Sequence, residues 1–182
     1  ILRAAGRPVI GIDLKILDDD GNEVPTEEAG EVCVRGPNVT PGYLNRPEEN
    51  EKAFKNGWFH TGDVGRVDKN GVMFLMDRKK DMIVSGGENI YTSEVEAALY
   101  KHPDVFECAV IGLPDDKFGE SLFAVIVTAP DQTLSEEIII NHCRDLIAGY
   151  KIPRQMDFVE ELPKSAMSKI LKNELRDIYS KK

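Results

Sequence analysis

The sequence predicts an α+β protein made of two parts, a small antiparallel β-barrel subdomain followed by a compact α+β domain. Three observations lead to this prediction. The first third of the chain contains short runs in which apolar and polar residues alternate, as in half-buried strands. The remainder alternates helix-like and strand-like segments. Between the two parts lie five consecutive charged residues, 77–81, which are poor material for a core.

The predicted barrel consists of strands over residues 9–17, 31–35, 64–67 and 72–76. The last two of these strands flank the run Asp68-Lys69-Asn70-Gly71. Asn-Gly predicts a type I′ hairpin at this point, because that turn requires a positive φ at both of its central residues.

The second part is predicted to contain three helices and strands over residues 105–113, 122–128 and 156–159. Ser93 and Glu96 have the spacing of a capping box at the start of the first helix. Ser135 is predicted to cap the second helix and Gly149 to end it, while the last helix covers residues 168–179. The expected inward faces are Val95, Ala98 and Leu99; then Ile139, Cys143, Leu146 and Ile147; then Ile170, Leu171, Leu175 and Ile178.

The composition of the chain argues against two classes of function, nucleic-acid binding and membrane spanning. The chain has 182 residues, of which 41% are hydrophobic and 30% charged, and its net charge is −9. This acidic balance argues against a nucleic-acid partner, and no apolar run approaches the ~20 residues of a transmembrane segment. Three separated cysteines (Cys33, Cys108 and Cys143) indicate free core thiols in a reducing, cytoplasmic setting.

Common catalytic motifs are absent from the sequence. It contains no GxGxxG, no Walker A loop and no GxSxG. His60, His102 and His142 are far apart in sequence, so we predict that they are isolated and that there is no metal site. Local basic segments in an acidic chain suit a small phosphorylated ligand better than a polymer.

Four features could carry chemistry. Asp63 follows a glycine and could accept the two hydroxyls of a ribose, or simply cap a turn. Arg78 could bind ribose or phosphate with its planar fork, or form a surface ion pair with Asp77 or Asp81.

The other two features are a glycine pair and a lysine. Gly86 and Gly87 would let a ligand approach the backbone closely, or would simply form a turn. Lys169 is predicted at the start of the last helix, where a cation opposes the helix dipole by about 0.3–1 kcal/mol. Stability therefore does not explain Lys169, whereas an incoming phosphate or carboxylate would, and an ordinary exposed lysine is the alternative.

Taken together, these features resemble those of one enzyme family. The runs are GWFHTGD at 57–63, DRKKDMI at 77–83, SGGENIY at 85–91 and SEVE at 93–96. The segment YKIPR at 150–154 and the tail at 162–176 extend the series. In order and spacing they resemble the acyl- and aryl-CoA synthetases of the adenylate-forming superfamily, over nearly the whole chain.

The resemblance implies a ligase that converts a small carboxylic acid and ATP, with Mg²⁺, into an acyl-adenylate and then transfers the acyl group to CoA. It implies that residues 1–76 form the β-barrel that closes a large N-terminal AMP-binding domain. Residues 77–80 would be a hinge and 81–182 a mobile lid. The ATP phosphate loop and the acyl pocket would belong to that missing N-terminal partner, so we expect the 182 residues alone to be inactive.

The resemblance also assigns roles to residues. Asp63 and Arg78 would hold the ATP ribose, Lys80 would be the residue about which the lid rotates, and Lys169 would be the catalytic lysine of adenylation. The same resemblance assigns CoA binding to Gly86, Gly87 and Glu88.

Thr92, Asn50 and Ser168 depart from the family pattern, and only Ser168 adjoins a proposed site residue. Ser168 stands where the family usually has glycine, directly before Lys169. An adenylation domain that loads a carrier protein is the first alternative function. A lid or binding module without catalytic activity is the second. The sequence does not identify the acid, because the resemblance implies that the acyl pocket lies in the N-terminal domain.

Overall fold

A computed structural model describes residues 4–181, which form two compact units, one ending at Lys80 and the other beginning at Asp81. Both units are built mainly on a β-sheet, and helices add to each, so the predicted α+β class is confirmed. Among the described residues, no helix is long and apolar enough to cross a membrane.

Within residues 4–80, the first unit contains one sheet and one short helix. Its elements are β1 (Ala4–Gly6), β2 (Asp13–Leu17), β3 (Gly30–Arg35), α1 (Pro47–Ala53), β4 (Phe54–Lys55), β5 (Trp58–Val67) and β6 (Met73–Arg78). All strand pairs are antiparallel, in the order β1-β6-β5-β3-β2, with β4 paired to β5.

The predicted barrel is wrong in one respect, since the sheet is open. In the described residues no ladder joins β1 to β2, the two strands at its ends. β1 is only three residues long and its register is irregular, so it offers too few backbone groups to close the sheet. Strand β2 begins at Asp13 rather than at residue 9.

A type I′ hairpin is present, but at a different Asn-Gly pair. Asn56 (φ 51°) and Gly57 (φ 78°) form the two-residue turn between β4 and β5. At Asn70-Gly71 only the glycine has a positive φ, and the Asp68 carboxylate accepts hydrogen bonds from the backbone of Asn70 and Val72. The predicted hairpin at this point is confirmed, because β5 and β6 pair antiparallel. Its loop is longer than a two-residue type I′ turn, and the hydrogen bonds to Asp68 stabilise it.

Helix α1 was not predicted. It has a proline in its first turn, at Pro47, followed by Glu48 and Glu49. A proline at that point needs no hydrogen-bonded N–H, and acidic residues in the first turn suit the helix dipole. The sequence signal was therefore available.

The second unit places helices on both faces of a mixed sheet. Its elements are β7 (Ile83–Ser85), β8 (Glu88–Ile90), α2 (Thr92–Leu99), β9 (Val105–Asp115), β10 (Gly119–Thr128), α3 (Glu136–Arg144), a 3₁₀ turn (Gly149–Lys151), β11 (Gln155–Val159) and α4 (Lys172–Tyr179). Strand β10 pairs antiparallel with β9 and β7 and parallel with β11.

Alternate residues of β9 lie in two separate cores. Cys108 and Val110 pack in the core that contains residues of α2 and α3. Ala109 and Ile111 pack in the core that contains residues of α4. Strand β9 is thus buried on both faces, which explains its long apolar run.

Two helix predictions need correction. Ser93 lies inside α2, not at its N-cap; the N-cap residue is Tyr91, whose side chain does not cap the helix. The Ser135 cap is confirmed, because its hydroxyl accepts from the N–H of Ile138. Helix α3 ends at Arg144, so Gly149 is not its C′ residue, and Leu146 is partly exposed.

The last helix begins at Lys172 instead of residue 168. Its buried side chains are Leu175 and Tyr179, while Ile178, predicted to face inward, is half exposed. Residues 175 and 179 are one helical turn apart, so they share a face, and that face packs on the sheet. The phenol of Tyr179 is satisfied by a hydrogen bond to the Asp157 carboxylate.

Candidate active site

Asp63 and Arg78 lie directly opposite each other on β5 and β6. Arg78 Nη1 donates to Asp63 Oδ1 at 2.6 Å, and 30% of the Asp63 side chain and 54% of the Arg78 side chain are exposed. An ion pair this exposed contributes only about 0–1 kcal/mol of stability. The two groups are therefore available to a ligand at little cost to the fold.

A bulge in β5 displays Asp63. The register between β3 and β5 changes from Cys33↔His60 to Glu31↔Val64, so the run 61–63 lies opposite a single residue. Gly62 has a φ of 71° within this bulge. Bulges of this kind redirect a side chain, and here the redirected residue is Asp63.

Glu31 supports the bulge from β3. Its Oε1 accepts from the N–H of Gly62 at 3.2 Å, and its Oε2 lies 3.2 Å from His60 Nδ1 and 3.1 Å from Lys79 Nζ. Burial alone would raise the pKa of Glu31, but the hydrogen bonds from His60 and Lys79 outweigh it and hold that pKa below its usual value. Glu31 is thus a carboxylate that fixes the backbone beside Asp63.

His60 is not isolated, which corrects the sequence-based prediction. Its Nδ1 is 3.4 Å from Cys33 Sγ, and the donor atoms of Glu31, Cys33 and His60 all lie within 4.8 Å of one another. Burial raises the pKa of the Cys33 thiol to about 11, so a thiolate ligand is unfavourable near neutral pH. The Lys79 ammonium already supplies a cation to Glu31, and we interpret the cluster as support for the bulge.

His102 and His142 are not isolated either. Their rings make an edge contact in the second unit, with centroids 5.0 Å apart. His142 Nε2 lies 3.0 Å from the carbonyl oxygen of Ala98, and His102 Nδ1 accepts from the N–H of Asp104. These contacts connect α2 with α3 and the start of β9, and they give both rings a structural role.

The residues on either side of Lys80 are fixed to different units. Lys79 donates its backbone N–H to Gly62 O at 2.8 Å, and its ammonium pairs with Glu31 and Asp19, all in the first unit. Asp81 is 8% exposed and pairs with Arg176 of α4 at 2.7 Å, in the second unit. The transition between the two units therefore falls at Lys80.

Gly86 and Gly87 form the turn of the β7–β8 hairpin. Both have positive φ angles, 61° and 85°, and Ser85 pairs with Glu88 across the turn. The structure therefore shows a hairpin turn at these glycines, and this geometry is compatible with both interpretations. A Cβ added to Gly87 would have no heavy atom within 4 Å, and Glu88 is exposed, so the surface of the turn is open.

Lys169 lies on a structured loop before α4, not on the helix. The N–H of Ser165 donates to Lys169 O at 2.8 Å, and the Ser165 hydroxyl accepts from the N–H of Lys169 at 3.2 Å. The N–H of Leu171 donates to Pro163 O at 2.8 Å, which closes the base of the loop. The Lys169 side chain is exposed and forms no ion pair with any residue in the 4–181 range.

Ser168 occupies a left-handed conformation, with a φ of 59°. Glycine adopts this region freely, whereas other residues lose about 1–2 kcal/mol there and branched residues lose most. We therefore expect the melting temperature to be highest for Ser168→Gly, intermediate for the parent chain and lowest for Ser168→Val. Calorimetry on the second unit's transition measures these melting temperatures. An equal melting temperature for the glycine and valine variants would contradict this conformation.

The structure brings Asp63 and Arg78 together in the first unit and places Lys169 and Gly86-Gly87 on separate loops of the second. Sequence reasoning missed Glu31 as a supporting residue. A signal existed, because Glu31 lies two positions before the buried Cys33 on a strand and so shares its face. A carboxylate on such a face needs partners, which His60 and Lys79 provide.

Two family comparisons match the chain. Residues 94–169 match the family described as AMP-binding enzyme C-terminal domain, and residues 2–44 match AMP-binding enzyme. The chain belongs to the AMP-binding enzymes. Lys169 is the last residue of the C-terminal match.

Individual relatives of the chain are named as ligases or synthetases. A long-chain-fatty-acid–CoA ligase of Escherichia coli is 45% identical over 94% of the chain. The o-succinylbenzoate CoA synthetase of Bacillus subtilis, solved with its acyl-adenylate intermediate, superimposes over 96% of the chain with a TM-score of 0.89 and 41% identity. An amide bond synthetase from Marinactinospora thermotolerans superimposes over 97% with a TM-score of 0.86 and 36% identity.

The chain spans about a third of the length of these relatives. It covers 30% of the Escherichia coli ligase, 35% of the Bacillus subtilis synthetase and 36% of the amide bond synthetase. The Bacillus subtilis synthetase has also been solved with ATP and a magnesium ion, in a structure that matches the chain with a TM-score of 0.87.

Proposed function

We propose that the chain supplies the C-terminal part of an AMP-forming acid–CoA ligase. The observation that carries this proposal is the 45% identity to a CoA ligase across nearly the whole chain. The exposed Lys169 and the Asp63–Arg78 pair give the proposal its chemistry. The substrates are ATP with Mg²⁺, a carboxylic acid and CoA.

In the first half-reaction, a carboxylate oxygen of the acid attacks the α-phosphorus of ATP. The bond from that phosphorus to the bridging oxygen of the β-phosphate breaks, and pyrophosphate leaves. Negative charge develops on the α-phosphate oxygens, and the Lys169 ammonium stabilises it. Asp63 accepts the ribose hydroxyls, while Arg78 orients Asp63 and contacts the same sugar.

In the second half-reaction, the sulfur of CoA attacks the acyl carbonyl carbon. The bond between that carbon and the phosphate oxygen breaks, AMP leaves, and the thiol proton passes to solvent. The exposed Gly86-Gly87 turn and Glu88 line the path of the CoA arm, because a turn without side chains leaves room for it.

The two half-reactions require the lid, residues 81–182, to take two orientations against the part that contains residues 1–76. Rotation is confined to the hinge at 77–80, and to Lys80 within it. The support is local, because Lys79 is bound within the first unit and Asp81 within the second. A hinge of one or two residues between anchored neighbours is typical of domain rotations.

The acceptor of the acyl group distinguishes the ligase from other enzymes that form acyl-adenylates. A region similar to this chain, 36% identical, also occurs in an amide bond synthetase. A transfer assay identifies the acceptor. The intact enzyme is given acyl-adenylate together with CoA, with a carrier-protein phosphopantetheine arm or with an amine. Transfer to CoA supports the proposed ligase, whereas transfer only to the carrier arm or only to the amine contradicts it.

The nucleotide part of the proposal is tested by Asp63→Asn in the intact enzyme. The amide keeps the size but loses the charge that strengthens hydrogen bonds to ribose hydroxyls. A hydrogen bond to a charged group is worth about 1.5–3 kcal/mol, so we expect the Kd for ATP to rise by about 10–100-fold. Calorimetric titration with ATP measures this effect.

Asp20→Asn is the matched control, because it removes an exposed carboxylate of the same unit. Its Kd for ATP should equal that of the parent enzyme. If Asp63→Asn binds ATP as the parent does, the assignment of the ribose site to Asp63 and Arg78 is wrong.

A further inference from the structure

Lys172 is the first residue of α4 and follows Lys169 by three positions. A cation in the first turn of a helix is unfavourable, because the helix dipole is positive there. The sequence argument about an unfavourable cation therefore applies to Lys172 rather than to Lys169. Lys172 is also mostly buried, with 16% of its side chain exposed, so its position needs an explanation.

The explanation is a set of short contacts to α2. Lys172 Nζ lies 2.7 Å from Glu96 Oε1 and donates to Thr92 Oγ1 at 2.7 Å. The same Glu96 oxygen accepts from the backbone N–H of Val110 on β9 at 2.8 Å. The ammonium thus has a carboxylate and a hydroxyl as partners, and that carboxylate is itself fixed to the sheet.

These contacts connect the two faces of the sheet. Helices α2 and α4 belong to the two different cores, on opposite faces of β9. Within the described residues β9 pairs only with β10, so its other edge is free for the N–H of Val110 to reach Glu96. The Lys172 side chain therefore passes along this edge and fastens the start of α4 to α2.

The other end of the Lys169 loop is fastened to the same strand. Lys164 Nζ lies 2.6 Å from Glu107 Oε1, and Glu107 is a residue of β9. The backbone bond from Leu171 to Pro163 closes the base between the two fastened ends. The loop thus projects Lys169 from a base with an ion pair at each end.

We propose that Lys172, with Glu96 as its partner, is a positioning residue for Lys169 in acyl-adenylate formation; this rests on the proposed function. Lys172 does not contact the substrates. It fixes the base of the loop, so that the Lys169 ammonium meets the α-phosphate in a defined place. Misplacement of a catalytic group by about 1 Å can cost about 10²-fold in rate.

The test uses Lys172→Met in the intact enzyme, since methionine keeps much of the side-chain length and removes the charge. We expect acyl-adenylate formation to slow by about 10-fold or more, within the range for a misplaced catalytic group. Release of pyrophosphate measures this rate. The KM for ATP and the transfer of supplied acyl-adenylate to CoA should be unchanged. Glu96→Gln should behave in the same way, and Lys172→Arg should restore most of the rate because it keeps the charge.

Lys151→Met is the matched control. Lys151 has the same degree of burial, with 17% of its side chain exposed, and it also pairs with a carboxylate of α2, Glu94, at 2.7 Å. It lies on the 3₁₀ turn rather than at the Lys169 loop. Its loss should therefore leave the rate of adenylation close to that of the parent enzyme.

Hydrogen–deuterium exchange gives a readout that does not depend on catalysis. The amides of Ser165, Lys169 and Leu171 should exchange faster in Lys172→Met and at the parental rate in Lys151→Met.

Faster exchange with an unchanged adenylation rate overturns the positioning role, and unchanged exchange overturns the anchoring. If Lys169→Ala also leaves adenylation unchanged, the proposed function itself fails. Equal loss of both half-reactions with a lower melting temperature shows general destabilisation and overturns the inference.

Discussion

Lys169→Ala in the intact enzyme is expected to slow acyl-adenylate formation by about 10²–10³-fold, the usual effect of losing one oriented donor to a developing negative charge. The ammonium is exposed on an ordered loop and has no ion-pair partner among the described residues, so it is available to the α-phosphate. Single-turnover release of pyrophosphate measures the effect. Transfer of supplied acyl-adenylate to CoA should be close to normal, because the proposed rotation of the lid would by then have moved Lys169 away.

Lys101→Ala is the control, since it removes another exposed lysine of the second unit. It should change neither half-reaction. Equal loss of both half-reactions in Lys169→Ala would contradict a role confined to adenylation. A melting temperature equal to that of the parent enzyme is expected for both variants, because neither lysine is buried.

Gly87→Trp is expected to reduce acyl-CoA formation by about 10²-fold or more, because a bulky side chain on this open turn would displace the CoA arm from its reactive position. Acyl-adenylate formation should survive, since Lys169 lies on a separate loop. Rates of pyrophosphate release and of thioester formation, measured separately, check both statements.

Gly87→Ala separates the role in CoA binding from the role in the turn. The φ of 85° is strained for any residue with a Cβ, so alanine and tryptophan share the backbone cost of about 1–2 kcal/mol. Neither Cβ meets a heavy atom within 4 Å, so the two variants differ mainly in side-chain size. A loss of thioester formation in the tryptophan variant alone supports the CoA path. Equal losses in both variants, with equal falls in melting temperature, would show that the glycine serves only the turn.

Local patterns predicted most of the elements of the fold but few of their boundaries. The strand over residues 31–35, observed as Gly30–Arg35, and the Ser135 cap were predicted from alternation and capping residues, which act within a few positions of one another. The capping box at Ser93 failed because Glu96 is bound to Val110 and Lys172, which are distant in sequence.

The candidate site shows the same difference between residues in local motifs and residues that meet through long-range contacts. Asp63, Arg78, Lys169 and the glycine pair could be proposed from the sequence because each belongs to a short contiguous motif. The groups that support Asp63 could not be predicted in this way, since Glu31 contacts Gly62 and Lys79 only when the strands pair. His60 was wrongly described as isolated for the same reason, because Cys33 becomes its neighbour only when β3 pairs with β5.

The sequence by itself determined the family, the α+β class and the residues proposed to meet the substrates, because motif chemistry and hydrophobic periodicity are local properties. Only the tertiary structure decided that the first sheet is open, that Lys169 lies on a loop before α4, and that Lys172 crosses the edge of β9. These features depend on which strand edges and buried charges meet across long sequence separations. Sheet closure and ion pairing are set by that long-range packing, and no short segment of the chain contains both partners.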